Sequence, residues 1–307
     1  MQTSAVVIGG ANLDFKARST AKATAHTSNP GRASMGPGGV GRNIAENIAR
    51  LGSPVHLVSV VGSDAIGDTL LEYTAAAGVN IDHVARTAQS TGTYTAVLDA
   101  DGELIIAISD MEAAAEISAD LIEEATDAMA VAGVVVIDGN LSADAMNRTL
   151  DLADGVPVIF EPVSVPKATG LKHLIDHRVY AVTPNRDELA ALTGLPAGTD
   201  ANVRAAARAL HGRGIELVWV RLGERGSMLC TADGIVYIPA VPTVIEDVTG
   251  AGDAMLGAFC HALLDGESPE QAARFGHAAA ALTIASVRTV RPDLTVRLIK
   301  DLLGDQA

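Results

Sequence analysis

The chain has 307 residues, room for one large α/β domain or two modest ones. Hydrophobic residues make up 48% and aromatic residues only 3%, so the core must be built from Ala, Val, Leu and Ile, which suits a parallel sheet wrapped by Ala-rich helices. The formal charge of −15 excludes a surface that attracts a nucleic acid polymer or an anionic membrane, so a small anion would have to be held by local N–H groups and Mg²⁺.

Residues 1–4 carry no basic stretch ahead of a strand at 5–8, which speaks against a signal peptide. Asn12-Leu13-Asp14 lies just past that strand, where Asn and Asp suit sugar hydroxyls and an Asx turn equally well. Residues from about 15 to 36 are polar, small and free of helical period. Gly38-Gly39-Val40-Gly41-Arg42-Asn43-Ile44-Ala45 comes next. Its glycines let the backbone approach a ligand, and Asn43 falls in the first turn of a helix whose apolar face is Ile44, Ile48 and Leu51. A plain loop-to-helix junction, with Asn43 in solvent, is the competing reading. A strand at 55–61 and a helical face at Leu70, Leu71 and Thr74 follow. Asp99-Ala100-Asp101-Gly102 then sits between strand-like runs at 93–98 and 104–108, a hairpin signal.

Helical patterns at 119–129, 143–152 and 202–211 alternate with strands at 134–138, 156–161, 181–183, 217–222, 227–231 and 235–238. This alternation predicts an α/β fold with a doubly wound, mostly parallel sheet and ligands at the carboxyl ends of its strands. The segments at about 15–36 and 92–110 break the rhythm and are read as a small β lid inserted in a single domain, 1–307. The apolar run at 130–137 is too short to span a bilayer. Cys230 and Cys260 fit neither a CxxC pair nor a metal site and read as reduced core thiols of a cytoplasmic protein.

Chemistry concentrates in the second half. Asn185-Arg186-Asp187-Glu188 has capping-box spacing, and the same geometry would let Asn185 and Glu188 organise a Mg²⁺-bound phosphate. Gly223-Glu224-Arg225-Gly226 is a tight turn that could lie against a nucleotide. Thr249-Gly250-Ala251-Gly252-Asp253, with Asp247 just upstream, is a bare turn opening an apolar helix at 252–264, which a second helix at 269–286 follows. Such a turn aims backbone N–H groups at one spot. Asp253 beside it is either a dipole-friendly carboxylate in a capped first turn or a base that takes a proton from an attacking hydroxyl. There is no G-x-x-x-x-G-K-[ST] loop, and none of the five lysines adjoins a glycine-rich turn. No G-x-G-x-x-G follows the first strand, and the eight histidines show no metal-ligand spacing.

Together and in this order, these motifs resemble the ribokinase-like carbohydrate kinases of the PfkB family. Residues 38–62 resemble its amino-terminal signature, 247–258 its carboxyl-terminal signature, and Thr183-Pro184-Asn185 with Glu188 its phosphate-side motif. The resemblance implies a Rossmann-like core with a small β lid and ATP-dependent phosphorylation of a sugar or nucleoside hydroxyl. Asp253 would be the base, and Gly250, Ala251 and Gly252 the N–H donors to the moving phosphoryl. Asn12, Asp14, Gly38, Gly39, Asn43 and Asn140 would hold the sugar. Asn185, Glu188, Arg221, Gly223, Gly226 and Thr249 would face the nucleotide, with Glu188 acting on Mg²⁺ indirectly and Asp247 helping to hold a monovalent cation such as K⁺. Gly10–Asp14, Ser28-Asn29-Pro30-Gly31, Ser109-Asp110-Met111 and Pro162-Val163-Ser164 with Lys167 resemble the pseudouridine kinase branch, which adds Asn29 and Asp110 to the substrate side. A ribose or adenosine kinase, or a non-catalytic sugar-binding regulator, are the alternatives. Two positions depart from the pattern: Arg221 stands where a small or hydroxyl residue is commoner, and Glu161 where Asp is usual. Exposed lid strands suggest a homodimer formed through the lid.

Overall fold

The computed structural model describes residues 3–304; Met1 and Gln2, on which the signal-peptide argument partly rests, and residues 305–307 of the tail lie outside them. In chain order the elements are β1 (Ser4–Ile8), β2 (Asn12–Ser19), β3 (Gly31–Gly38), α1 (Val40–Arg50), β4 (Val55–Gly62), α2 (Ala65–Ala76), β5 (Asn80–Thr87), β6 (Thr93–Leu98) and β7 (Leu104–Asp110). Next come α3 (Ala119–Glu124), α4 (Thr126–Ala130), β8 (Ala132–Asp138), α5 (Ala143–Leu152), β9 (Val158–Glu161), α6 (Val165–Leu171), β10 (Ala181–Val182) and α7 (Arg186–Thr193). The chain ends with α8 (Asp200–His211), β11 (Leu217–Arg221), β12 (Ser227–Thr231), β13 (Gly234–Ile238), α9 (Ala251–Leu264), α10 (Pro269–Ile284) and α11 (Val296–Gly304).

The described residues form a nine-stranded sheet, in the order β13-β12-β11-β10-β9-β8-β1-β4-β5, and a four-stranded sheet, β3-β2-β6-β7. The large sheet is parallel from β5 to β11; β12 runs antiparallel to both its neighbours. Alternation along each strand feeds two cores. Val6, Ile8, Val135, Ile137, Phe160 and Val218 face α3–α8, whereas Val7, Val134, Val136, Ile159 and Trp219 face α1, α9 and α10. Burial on both faces is why these strands read as near-continuous apolar runs. Strand order reverses between β1 and β8, which opens a crevice at their carboxyl ends.

Several expectations shift by local physics. The helix expected at 119–129 is two helices, because Ala125 leaves helical geometry (φ −94°, ψ 6°) and Thr126 Oγ1 donates to the Glu123 carbonyl. The strand expected at 156–161 begins at Val158, since a turn from Ala153 to Val156 precedes it. β5 escaped notice because an edge strand with the sequence NIDHVART is half-exposed and lacks a clean alternation. The short helices α6, α7 and α11 were likewise not among the helical patterns. Among the described residues, no helix is long and apolar enough to cross a membrane.

One crossing positions the site. α1 and α9 approach so closely at Gly257 that an added Cβ would stand 2.6 Å from Asn47 Cβ and 3.0 Å from the Ile44 carbonyl oxygen. Gly257 and Asn47 each lie four residues, about one turn, beyond Asp253 and Asn43 respectively. Gly257→Ala should therefore destabilise the protein by about 1–3 kcal/mol through overpacking. It should also cut turnover by separating Asn43 from Asp253. An unchanged melting temperature together with unchanged kcat would show that this crossing has slack.

Candidate active site

The helix starts differ in how they are capped. α2, α5, α7, α8 and α10 begin at Asp64, Ser142, Asn185, Thr199 and Ser268, each with a side-chain oxygen that accepts a first-turn N–H. α1 and α9 begin at Gly39 and Gly250, both at positive φ and with no side-chain cap. Gly250 (φ 80°) also backs onto the Thr289 carbonyl, which a Cβ would strike at 2.0 Å. The two glycine-started helices meet at their first turns, and the Gly41 and Arg42 N–H groups of α1 are taken up by Asp138 and the Gly10 carbonyl.

Asp253, in the first turn of α9, accepts a 2.7 Å hydrogen bond from Asn43 Nδ2 in the first turn of α1. Asn43 is in turn oriented by Arg42, whose guanidinium donates to Asn43 Oδ1, to the Gly38 carbonyl (3.0 Å) and to Glu46. Arg42 is fully buried, and Glu46 joins it to Arg50 along the helix. Burial pushes the Asp253 carboxyl up to about 7; the Asn43 hydrogen bond opposes this, Glu161 and Asp138 add to it, and Arg221 counters it. A carboxylate poised near neutrality beside helix N-termini can accept a proton as an anion is handled next to it.

A second carboxylate closes the crevice. Asp138, fully buried at the end of β8, accepts the N–H of Gly10 (2.8 Å) and of Gly41 (2.9 Å) on one oxygen and that of Asn140 (2.8 Å) on the other. Burial raises its pKa. Asp138 thus ties the turn after β1 to the start of α1. On the same side, Asn12 Nδ2 donates to Asp14 Oδ1 at 2.6 Å, and Asp14 lies against Gly38, where a Cβ would be 2.5 Å from its carboxylate oxygens. Asn140 lies over Gly10 and receives a hydrogen bond from Lys167. Asn12, Asp14, Gly38, Gly39, Asn43 and Asn140 are therefore one cluster.

Across α9 lies an ionic group. Arg221 Nη2 donates to Glu161 Oε1 (2.6 Å) and to Glu188 Oε2 (3.3 Å), while Nη1 lies 2.6 Å from where a Cβ on Gly252 would stand. Glu188 and Asn185 complete the capping box of α7, and Thr183 Oγ1 donates to Glu161. Arg221 and Glu161, the two positions noted above as unusual, are thus partners in one ion pair. Burial outweighs Arg221 and the Asn185 N–H in raising the Glu188 pKa, and Glu161 adds to that rise. Gly223 and Gly226 form the turn after β11, with Gly223 opening onto free space. Among the described residues no three His, Cys, Asp or Glu side chains are grouped to hold a metal by themselves. Glu188 and Glu161 are the carboxylates that would face a Mg²⁺ ion carried by a phosphate group.

Asp247 is placed differently from expectation. One oxygen accepts the Thr249 N–H (2.9 Å) and the other pairs with Lys16 Nζ (2.7 Å) from β2. Burial alone would raise its pKa, but these donors hold it below the ordinary carboxylate value. Asn29 is not brought to the cluster: it is exposed, and its amide closes the 24–29 turn through Thr24 and Thr27. Asp110, exposed at the end of β7, has its carbonyl beside Gly92, which also adjoins Asn12. Sequence reading had not singled out Arg42, Asp138 or Lys16 as parts of the site. Arg42 stood inside a quoted motif, whereas nothing local marks Asp138 or Lys16.

Residues 2–295 match the family described as pfkB family carbohydrate kinase. The uncharacterized sugar kinase YeiI of Escherichia coli (strain K12) is 36% identical over 296 residues, covering 96% of this chain and 82% of that protein. The pseudouridine kinase of the same organism is 32% identical over 300 residues, covering 97% and 96%. Among solved structures, Arabidopsis thaliana ribokinase complexed with ribose and ATP superposes with a TM-score of 0.88 at 26% identity, over 99% of both chains.

Two outcomes follow from the environment of Asp253. Its carboxyl stays protonated to about pH 7 in the folded protein but ionises around the ordinary 3.8 in the unfolded chain, so between those values stability falls as pH rises. Asp253→Asn should therefore be more stable than the parent by about 4 kcal/mol at pH 8 and by only about 1–2 kcal/mol at pH 5. Urea melts at the two pH values test this. Second, kcat/KM should lose activity on the acid side with an inflexion near pH 7. A profile that stays flat down to pH 5.5 would take Asp253 out of the role of base.

Proposed function

Because this chain belongs to the pfkB family of carbohydrate kinases, phosphotransferases with an alcohol group as acceptor, we propose that it transfers the γ-phosphoryl of ATP to the 5′-hydroxyl of pseudouridine. The observation that carries the chemistry is the Asn43–Asp253 hydrogen bond between two bare helix N-termini. Asp253 takes the hydroxyl proton, the acceptor oxygen bonds to the γ-phosphorus, the bond to the bridging oxygen breaks, and ADP leaves. N–H groups of Gly250 and Gly252, and that of Ala251 on exchanging its 3.3 Å bond to the Val248 carbonyl, receive the charge that builds on the phosphoryl oxygens, with Arg221 beside Gly252 adding a fixed cation. Mg²⁺, when bound, neutralises the phosphates next to Glu188 and Glu161. Asn12, Asp14, Gly38, Gly39, Asn43 and Asn140 hold the ribosyl part; Asp110 faces the same end. Gly223, Gly226, Asn185 and Thr249 border the nucleotide.

The choice of pseudouridine rests on likeness to the pseudouridine kinase of E. coli over nearly the full length of both chains, and to that of Arabidopsis thaliana at 26% identity over 96% of this chain. Ribose is the second reading, favoured by the superposition on a ribokinase. Free, buried Cys230 and Cys260 suit the reducing cytoplasm.

We also infer a homodimer through the small sheet. Its edge strand β7 exposes Leu104, Ile105, Ile106 and Ile108, of which Ile106 and Ile108 share one face of the sheet.

ADP release with pseudouridine, uridine, adenosine and ribose, measured in parallel, tests the substrate. Pseudouridine should lead in kcat/KM by at least about tenfold. Faster turnover of ribose or adenosine would replace it. In the same assay Asp253→Asn should lose about 10³-fold or more in kcat while nucleoside binding survives. For the assembly, light scattering should give twice the chain mass for the parent and one chain mass for Ile106→Glu. A monomeric parent at micromolar concentration refutes the dimer.

A further inference from the structure

Lys16 belongs to the small sheet, yet its ammonium group lies 2.7 Å from Asp247, in the turn that leads into α9. It stands on β2 two residues beyond Asp14, which stands two beyond Asn12, so the strand's alternation puts all three on one face. Asp247 is built into the turn from behind: the N–H groups of Glu246 and Asp247 both donate to the Ile284 carbonyl. Its other oxygen accepts the Thr249 N–H at 2.9 Å, one residue before Gly250 opens the helix. The family pattern points a monovalent metal ion at this carboxylate, but the residues present do not fit one. Both oxygens are engaged, one of them by a full positive charge, and a metal ion there would set two cations on one carboxylate.

We propose that Lys16 is a positioning residue that supplies the cation of this turn, so that the seating of the small sheet, rather than a bound K⁺ ion, sets the anion-binding start of α9. The inference rests on reading that helix start as the phosphoryl site. It adds a link the catalytic residues alone lack: β2 carries both Asp14, on the substrate side, and the cation that steadies the Asp247–Gly250 turn. A substrate that orders β2 through Asn12 and Asp14 would then also set the N–H groups that receive the phosphoryl group. An ion pair this open to solvent adds little to stability. Its effect is on where the turn sits.

The test compares the parent, Lys16→Met and Lys16→Arg in potassium chloride and in choline chloride at equal ionic strength. Two readouts are taken: kcat, and the affinity for β,γ-methylene-ATP by calorimetry. The parent and Lys16→Arg should give the same values in both salts within about twofold. Lys16→Met should lose about tenfold or more in kcat, and bind the analogue more weakly, in choline chloride, with both restored by K⁺. A parent that itself gains tenfold on adding K⁺ overturns the proposal. So does a Lys16→Met variant that matches the parent in both salts, or one whose loss K⁺ does not repair, since Lys16 would then act on the substrate directly. Absence of ADP formation by the parent with every acceptor would count against the kinase reading, while analogue binding in the two salts still decides the role of Lys16.

Discussion

Two helices that start on glycine, with no side chain to cap them, set the terms for everything around them. Unsatisfied N–H groups and two like dipole ends side by side are unfavourable unless negative charge is brought between them. The protein does this in two ways. At α1 the cap comes from across the sheet, where Asp138 accepts the Gly41 N–H while also holding Gly10. At α9 the terminus keeps only Asp253 in its first turn, a carboxylate that burial makes reluctant to ionise. One terminus is satisfied from across the sheet, and the other is the start that the proposed reaction would use to hold an anion.

That arrangement concentrates charge where a fold gains least from it. Asp138, Glu188 and Arg42 sit in or near the sheet crevice, and each carries a desolvation penalty that its partners only partly offset, whereas at Arg221 the charges of Glu161 and Glu188 outweigh burial. The Glu161–Arg221 pair shows how such charges are held: the guanidinium beside Gly252 is met by a carboxylate two strands away. Changing one partner alone would leave a buried charge unanswered.

How much the sequence reveals follows from how local each feature is. The turn at 249–253, the start of α1 and the capping box of α7 are contiguous stretches, so backbone needs and side-chain chemistry can be read together. The buried strands are legible because both of their faces are apolar. Asp138 is silent because its partners lie 128 and 97 residues away, and Lys16 because Asp247 is 231 residues off. Asn29 misled for the opposite reason: a polar residue in a suggestive tetrapeptide is consumed by its own turn. Long-range carboxylate–amide contacts leave no periodicity and no spacing behind them.

The close crossing at Gly257 has a consequence for the reaction cycle. Base and orienting amide ride on helices locked one turn below the chemistry, so they form a still half of the molecule. The four-stranded sheet, by contrast, joins the main body near Gly9–Ala11, Gly38–Gly39 and Gly92, so in the proposed kinase it is the part that would open to admit substrate. Bond-making and opening would thereby fall to different parts of the chain. A slow product-release step would then respond to solvent viscosity and to stiffening of those joints, with the chemical barrier itself unmoved.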